Sequence, residues 1–437
     1  MFLYQGEFIM SAIFGIDFGT SNSALSVNMD GKVRLLDVDR ENPISNSLKS
    51  ILYFLKEDGQ TRSYVGYEGV KAYIENEADG RYMQSIKTFL PDTAFEKTNI
   101  YGKSYTLEEL IAIFLKVMKQ RGQEIIKQEV SDLVLGRPVI FSEDRERDEI
   151  AQERLTRAAQ IAGFKNISFQ LEPIAAALAY ENSLEAGTEQ IVLVGDFGAG
   201  SSDFTIYKAG NNQGHTAARE RDILSVGGVY IGGDVFDSAI MREKVAIHYG
   251  KNVEAKSMWS DNLFGLSPLV IRKLMQWHLI PQLRLPRTLD NIKELKVRAK
   301  FRDKKLLENL ENLIHANYGY LLFRSIERTK CELSEKKQSH IFFKEYDICI
   351  DELLSREEFE GFIREKVASL NACIDSTLAK ANLSCSDIDV VFLTGGSSYI
   401  PLIREIFETR IGKDKIRSAD AFTSVAYGLG LQGNLMG

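Results

Sequence analysis

The strongest constraint on the fold is an internal repeat of a glycine-rich hairpin. Residues 13–27 read IFGIDFGTSNSALSV, and residues 191–206 read IVLVGDFGAGSSDFTI. Each copy has an apolar strand, Asp-Phe-Gly, a turn of small residues and a second apolar strand, which is the pattern of a β-hairpin. The two aspartates, Asp17 and Asp196, are separated by roughly one domain length. The repeat predicts two similar α/β halves whose hairpin tips face each other across a cleft.

Strand and helix patterns alternate around the two hairpins, as in an α/β protein. They predict a capped helix over 106–120, a buried strand over 131–141, a charged helix over about 143–161 and a helix opened by Pro173. Residues 238–336 contain few strand signals and many charges. We therefore expect a mainly helical subdomain in that stretch.

The positions of the repeats predict a division into two lobes. We expect a first lobe over residues 12–188 and a second lobe over 189–431, with short tails at 1–11 and 432–437. Met10 directly precedes the first predicted strand and is a candidate start of translation. We expect no further module after the last predicted helix.

Composition excludes several classes of function. The chain has 54 Lys and Arg against 61 Asp and Glu, a net charge of −7, which argues against nucleic acid or an anionic membrane as the main partner. No apolar run reaches the ~18 residues of a membrane helix, and the first residues lack the features of a signal peptide. The four cysteines and five histidines show no disulfide or zinc-ligand spacing. We expect a cytoplasmic protein.

The hairpin tips have the chemistry of a phosphate-binding site. Turns of Gly, Ser and Thr present clustered backbone N–H groups to phosphate oxygens, and hydroxyls such as those of Thr20 and Ser201 add donors. A carboxylate at each mouth, Asp17 and Asp196, suits a hydrated Mg²⁺ ion. Either hairpin alone would be an ordinary β-turn, but the pair predicts a clamp for a nucleoside triphosphate. Neither a GxxxxGKS loop nor a GxGxxG turn is present, which disfavours the P-loop and Rossmann folds.

The chain resembles the nucleotide-binding domain of DnaK-type chaperones, the heat shock protein 70 family of the actin-like ATPase superfamily. Its matching segments follow the family's order: GIDFGTSNS at 15–23, LEPIAAALAYE at 171–181, GDFGAGSSDFTI at 195–206, IGGDVFD at 231–237, ERTKCELS at 327–334, TGGSSYIP at 394–401 and SVAYGLG at 424–430. The resemblance implies duplicated ribonuclease-H-like halves, a central nucleotide cleft and an enlarged helical subdomain. The chain resembles in particular the short bacterial members of the family, which consist of the ATPase domain without the substrate-binding domain.

The resemblance implies roles for five residues near the phosphates. Lys87, in QSIKTFL, corresponds to the family's catalytic lysine, which orients the attacking water and stabilises charge on the γ-phosphate. Glu172 would position water or hydrated Mg²⁺, Asp17 and Asp196 would hold the metal through water, and Ser201 stands at a threonine position near the γ-phosphate. From the sequence alone, Lys87 is a solvated helix lysine and Glu172 a carboxylate favoured at a helix N-terminus.

The resemblance also implies a set of nucleotide contacts in the hairpin tips, two further glycine turns and one helix. They are Gly19, Thr20, Ser21, Asn22, Gly198, Ala199, Gly200, Ser201, Gly232, Gly233, Glu327, Lys330, Ser334, Gly395, Gly396, Ser397 and Tyr399. The spacing of the three helix residues puts them on one face, which without the resemblance indicates a surface row of ion pairs. Ala199 replaces a family glycine, and Cys331 and Tyr399 replace the two arginines that sandwich adenine, so base affinity and selectivity stay open.

The leading hypothesis is an ATP-binding, slowly ATP-hydrolysing chaperone-like protein whose lobes switch with nucleotide state. It implies ATP or ADP with Mg²⁺, and K⁺ as a further candidate cation. We expect a monomer whose partner is another protein, such as a client, a co-chaperone or an exchange factor. The alternatives are an actin-like filament ATPase, a small-molecule kinase of the same superfold, and a nucleotide-sensing scaffold without turnover.

Overall fold

The structure, a computed structural model, describes residues 12–39, 41, 46–76, 79–142, 144–181, 184, 188–210, 222–256, 262–418 and 423–433. The predicted N-terminal tail and the candidate start at Met10 lie outside the described residues. The predicted C-terminal tail overlaps them only at residues 432 and 433.

The described residues form six β-sheets or ribbons. The strands in chain order are β1 (Ala12–Asp17), β2 (Asn22–Met29), β3 (Lys32–Leu35), β4 (Leu48–Lys49), β5 (Ile51–Glu57), β6 (Gln60–Val65), β7 (Arg81–Gln84), β8 (Lys97–Ile100), β9 (Lys103–Thr106), β10 (Asp132–Arg137), β11 (Asn166–Leu171), β12 (Glu189–Phe197), β13 (Ser202–Gly210), β14 (Ile223–Val229), β15 (Glu254–Lys256), β16 (Leu263–Gly265), β17 (Gln338–Glu345), β18 (Ile348–Ser355), β19 (Val390–Thr394) and β20 (Ile416–Ser418).

The α-helices cover the faces of these sheets. In chain order they are α1 (Tyr67–Glu75), α2 (Leu107–Ile126), α3 (Arg145–Ile161), α4 (Glu172–Glu181), α5 (Gly233–Ile240), α6 (Pro268–Leu274), α7 (Pro286–Arg298), α8 (Phe301–His315), α9 (Gly319–Glu335), α10 (Arg356–Lys380), α11 (Pro401–Arg410) and α12 (Ser424–Gln432). Short 3₁₀ turns at Ile86–Phe89, Trp277–Arg284 and Gly396–Tyr399 bear on the site described below.

Several helix boundaries follow directly from local chemistry. Thr106 and Glu109 form the predicted reciprocal capping box, because Thr106 Oγ1 accepts from the Glu109 N–H and Glu109 returns the bond to the Thr106 N–H. Asp144 caps α3 with its side chain alone, which accepts from the second and third N–H groups of the helix. Pro401 occupies the first position of α11, where its missing N–H costs nothing. The predicted helices that begin at Thr106 and near residue 143 are confirmed.

The two large sheets have the same topology. One has the order β11–β10–β1–β2–β3 and the other the order β20–β19–β12–β13–β14. In each, three antiparallel strands (β1 to β3, and β12 to β14) are extended by two parallel strands. The hairpin that is repeated in the sequence thus forms the same two neighbouring strands of two similar sheets. The fold is therefore the predicted bilobed α/β architecture of duplicated halves.

Two adjacent helices join the halves at one end. Gly428 of α12 lies so close to α4 that a Cβ there would meet the carbonyl oxygen of Ala175 at 1.7 Å, so only glycine fits this crossing. The helix α12 is also tied to the first sheet, because Ser26 Oγ donates to Ala426 O (2.5 Å) and Asn28 Nδ2 donates to Gly430 O (2.8 Å). The last described helix therefore follows the second half in the chain but packs on the first half, and the division at residue 188 stays a prediction.

A cluster of aromatic rings joins the halves at a second place. Tyr73 and Tyr82, from α1 and β7, pack on Tyr320 of α9 with ring centroids 5.7 and 4.4 Å apart. Trp277 adds its ring 5.7 Å from Tyr82, and Tyr73 Oη donates to the carbonyl of Asn317 at 2.6 Å. Aromatic contacts of this kind each add roughly 0.5–1.5 kcal/mol beyond burial. This set of rings, Tyr73, Tyr82, Trp277 and Tyr320, is called the aromatic bridge below.

Candidate functional site

The first hairpin tip, between β1 and β2, has a backbone shaped for anion binding. A Cβ on Gly19 would lie 2.1 Å from the carbonyl oxygen of Asn22, so the tight turn requires glycine. The Gly19 N–H donates to Ser23 Oγ at 3.2 Å and is therefore occupied. The N–H groups of Thr20 and Ser21 donate no hydrogen bond to the described residues. They are the donors this tip can offer to phosphate.

The second hairpin tip, between β12 and β13, reaches the first half of the molecule. A Cβ on Gly200 would lie 4.0 Å from Cγ2 of Thr88, which follows Lys87 in the chain. The hydroxyl of Ser201 donates to Asp203 Oδ2 at 3.0 Å. Ala199 keeps its backbone outside the left-handed region, so alanine fits this turn without strain. Asp17, at the end of β1, also lies close enough to Asp196 in β12 to raise its pKa, which agrees with the predicted approach of the two hairpins.

A buried ion pair lies at the point where the tips approach each other. Lys87 Nζ lies 2.6 Å from Glu172 Oε1, and the two side chains are only 10% and 12% exposed. Lys87 belongs to the 3₁₀ turn Ile86–Phe89, which the left-handed residue Ser85 (φ 57°) directs inward. Glu172 is the first residue of α4. The interpretation of Lys87 as a solvated surface lysine is therefore wrong.

Carboxylates outnumber cations around this ion pair. Burial raises the pKa of Asp17 to about 7, with Glu172 adding to the rise and Lys87 opposing it. Burial, together with Glu172, Asp203 and Asp17, raises the pKa of Asp196 well above its usual value. Burial also raises the pKa of Asp203 to about 6. Burial works against the charge on Lys87, but the neighbouring acids outweigh it and raise its pKa. Such a site gains free energy when a cation enters it.

The arrangement of these acids fits a hydrated metal ion better than a directly coordinated one. Within the described part of the chain, no three His, Cys, Asp or Glu side chains converge closely enough to hold a metal between them. Mg²⁺ keeps several waters and is usually bound through one or two carboxylates plus substrate phosphates. Asp17 and Asp196 fit that requirement.

Asp203 is a site residue that sequence reasoning missed. It is the second residue of the apolar strand β13, and its carboxylate lies in the same electrostatic cluster as Lys87 and Glu172. Burying a carboxylate costs free energy unless it is paired. An aspartate within an otherwise apolar strand was therefore the sequence signal that could have identified Asp203.

The turn that contains Gly232 and Gly233 supports the second tip. The Gly233 N–H donates to Gly198 O at 3.1 Å, so this donor is already used within the protein. Lys330 Nζ donates to Asp237 Oδ2 at 2.9 Å and to Gly233 O at 3.2 Å, with both side chains of the ion pair 10% exposed. Burial lowers the pKa of Lys330, but Asp237 and Glu327 outweigh this and raise it. The predicted nucleotide contact Lys330 is thus a buried residue that fixes the position of this turn.

The other predicted residues of α9 occupy its less buried surface. Glu327 and Ser334 are half-buried, while Cys331 between them is exposed. The Ser334 carbonyl accepts from Arg356 at 3.3 Å. Because Lys330 is buried against another helix, the alternative of a surface row of ion pairs is wrong.

The last glycine turn lies directly beside the second hairpin. Gly395 has φ 82°, and a Cβ there would meet the carbonyl oxygen of Phe197 at 2.2 Å, so the turn presses on the end of β12. Gly396 and Ser397 follow in the 3₁₀ turn, with Ser397 buried. Tyr399 is 46% exposed, and its ring packs on no other aromatic ring among the described residues. This ring is available to stack on a planar ligand.

The duplicated sheets, the facing hairpins and the acidic cleft define an actin-like ATPase fold. The sequence model of the family described as Hsp70 protein matches residues 13–260 and 299–437, and leaves 261–298 unmatched. The chain therefore belongs to the Hsp70 protein family, as the motif order predicted. It is an ATP-binding protein of the chaperone type. Among the described residues, no helix has the length and apolar character needed to cross a bilayer.

Proposed function

We propose that the chain binds ATP with Mg²⁺ between the hairpin tips and hydrolyses it slowly to ADP and phosphate. The observation that carries this proposal is the buried pair of Lys87 and Glu172 between two phosphate-binding turns. A lysine that is only 10% exposed and lies among four carboxylates is typical of a functional site rather than of a solvated surface.

The hairpin tips would bind the phosphate chain. The N–H groups of Thr20 and Ser21 on one side, and of Gly200 and Ser201 on the other, make no hydrogen bond to the described residues. Opposed donors of this kind hold a polyphosphate from both sides. Asp17 and Asp196 would hold Mg²⁺ through water, and K⁺ is a candidate for the remaining acidic position near Asp203. The bound Mg²⁺ would supply positive charge to the phosphate oxygens.

Lys87 and Glu172 would perform the chemical step. A water molecule attacks the γ-phosphorus, the bond to the β–γ bridging oxygen breaks, and ADP leaves with the electron pair of that bond. Glu172 accepts a hydrogen bond from the water, and the Lys87 ammonium stabilises the charge on the γ-phosphate oxygens. The Ser201 hydroxyl, which donates to Asp203, would contact the same phosphate.

Nucleotide state would act on the rest of the molecule through the two junctions between the halves. At the α4–α12 crossing the two backbones are in direct contact, which allows little movement. The aromatic bridge is made of side-chain contacts, which can separate more easily. We propose that the lobes rotate about the first junction while the second opens and closes. The partner that senses this movement is another protein.

Calorimetric titration with ATP, with and without Mg²⁺, tests the proposal together with release of inorganic phosphate. We expect Mg²⁺-dependent binding followed by slow phosphate release. Asp196→Asn should weaken binding at least tenfold in the presence of Mg²⁺ but not in its absence, whereas Asp58→Asn, in an exposed turn, should change neither. Absence of binding would contradict the proposal. Binding without phosphate release would favour the nucleotide-sensing scaffold, and ATP-dependent sedimentation would favour a filament.

A further inference from the structure

The segment that the family model leaves unmatched, residues 261–298, is built firmly into the second half. It forms β16, α6, the 3₁₀ turn and α7. Leu274, Ile280 and Leu283 are buried in the main core, and Trp277 belongs to the aromatic bridge. The segment is therefore anchored in the core, so the backbone positions that carry its outer side chains are fixed.

The segment, together with the start of α8 that follows it, is rich in basic residues. From Pro268 to Lys305 the chain carries 11 of its 54 basic residues but only 3 of its 61 acidic residues. The exposed cations Arg272, Arg287, Lys293, Lys300 and Lys304 form no ion pair with any residue that the structure describes. A basic region within a chain of net charge −7 attracts an anionic partner by complementarity of charge.

The same surface exposes large apolar side chains. Phe301 is 93% exposed at the start of α8, and Val297, near the end of α7, is 74% exposed. Leu263, Leu269 and Leu285 are also exposed. Apolar side chains grouped in one region and surrounded by polar residues are typical of protein interaction sites. These residues and the five cations are called the basic insertion face below.

A cavity of about 230 Å³ opens within the segment. This volume is below the ~300 Å³ at which small-molecule sites begin, and suits one or two side chains of a partner. The Arg298 guanidinium lies 5.8 Å from the Phe264 ring and 3.1 Å from Glu294, which fixes one wall. The residues of the wall and rim include Phe264, Leu266, Val270, Asn291, Ile292 and Glu294.

We propose that the basic insertion face docks a protein segment that presents an apolar anchor side chain flanked by acidic residues. The anchor would enter the cavity, and the acidic residues would pair with cations such as Arg287 and Lys293. Asp290 and Glu294 are also exposed on α7, so the acidic residues of the partner must be spaced to meet Arg287 and Lys293 and avoid these two acids. The continuous phosphates of a nucleic acid or the headgroups of an anionic membrane cannot do this. This inference deepens the proposed function, since it names the chemistry of its protein partner.

Selection from a random peptide library displayed on phage, with the full chain as bait, tests the inference. Enriched peptides should combine acidic residues with a Leu, Phe, Trp or Met anchor. Their affinity, measured by fluorescence anisotropy, should fall about tenfold or more in the double variant Arg287→Glu/Lys293→Glu and about fivefold in Phe301→Ser. Raising NaCl should weaken binding further. Lys116→Glu, an exposed lysine on α2, is the matched charge control and should bind normally.

Two further measurements separate this inference from the proposed ATPase activity. Lys87→Ala should retain peptide binding, and Arg287→Glu/Lys293→Glu should retain phosphate release. A library that yields no peptides dependent on Arg287 and Lys293 would overturn the docking inference and leave the ATPase proposal intact. Binding of phosphatidylserine vesicles or of a single-stranded oligonucleotide that is lost in the same double variant would also overturn it, in favour of a membrane or nucleic-acid surface.

Discussion

The proposed phosphate end and the proposed base end of the cleft differ in how firmly their side chains are held. At the phosphate end, Lys87, Glu172, Asp17 and Asp196 are buried together and influence one another's pKa values. At the proposed base end, Tyr399 is exposed, and Lys330, a predicted nucleotide contact, is paired with Asp237.

This difference separates a buried, tightly packed part of the site from an exposed part. The phosphate end depends on tight backbone turns and buried charges that cannot be altered without cost. The base end depends on exposed side chains, which a chain can exchange while its fold persists. We therefore expect triphosphate binding to be strong and base selectivity to be weak.

The largest effect is expected from Lys330→Met, which tests whether this lysine belongs to the scaffold. Removing one partner of a buried ion pair leaves Asp237 uncompensated, so the free energy of unfolding should fall by about 3–5 kcal/mol. Urea-induced unfolding measures the change. Lys336→Met, which removes an exposed ion pair at the end of the same helix, should change the free energy of unfolding far less. Equal losses in both variants would contradict the scaffold role.

Asp17→Asn should affect ligand binding and stability in opposite directions. We expect Mg²⁺–ATP affinity to fall at least tenfold, because one of the two proposed metal-holding carboxylates is lost. The folded-state pKa of Asp17, about 7, lies above its usual value of 3.8, so ionisation of this group lowers stability as the pH rises through that window. The ligand-free variant should therefore melt about 2–4 °C above the wild-type protein at pH 8.

The melting-temperature gain in Asp17→Asn should shrink at pH 5, where the wild-type carboxyl is largely protonated. Differential scanning calorimetry at the two pH values checks this. A gain that is the same at both pH values would show that the effect is unrelated to ionisation.

Tyr320→Ala should change the kinetics of nucleotide exchange more than its equilibrium chemistry. Tyr320 contacts three rings of the aromatic bridge and lies on α9, about 15 Å along the helix from Lys330. Weakening the bridge should open the cleft more often and raise the dissociation rate of a fluorescent ATP analogue about fivefold. The exposed Tyr346→Ala provides the control. An unchanged dissociation rate would show that the bridge does not limit release.

The smallest effect is expected from Tyr399→Ala. Loss of one exposed ring should reduce ATP affinity by about threefold or less. Introducing the family's residues in Cys331→Arg/Tyr399→Arg should instead raise the preference for ATP over GTP. Competition binding with the two nucleotides measures both effects. A tenfold loss in Tyr399→Ala would show that the base end is as tightly built as the phosphate end.

The sequence predicted those features that are local or repeated. The two hairpins, the capped helix at Thr106 and the opening of α4 at Glu172 each have a signal within a few residues. The fold class followed because a repeated hairpin implies a repeated sheet, and the motif order identified the family.

Features that depend on contacts between distant residues were not predictable in this way. The pairing of Tyr73 with Tyr320, and of Lys330 with Asp237, is visible only when distant segments fold against each other. The same holds for Asp203, whose role depends on its proximity to Lys87 and Glu172 rather than on its sequence neighbours.

Single-turnover release of phosphate from pre-bound ATP, in the wild-type protein and in Lys87→Ala, tests the central claim most directly. Lys116→Ala, an exposed lysine on α2, serves as the control. The proposed role of the Lys87–Glu172 pair predicts that the Lys87→Ala rate falls about 100-fold or more while ATP affinity changes by less than about threefold. An unchanged rate of phosphate release in Lys87→Ala would contradict it.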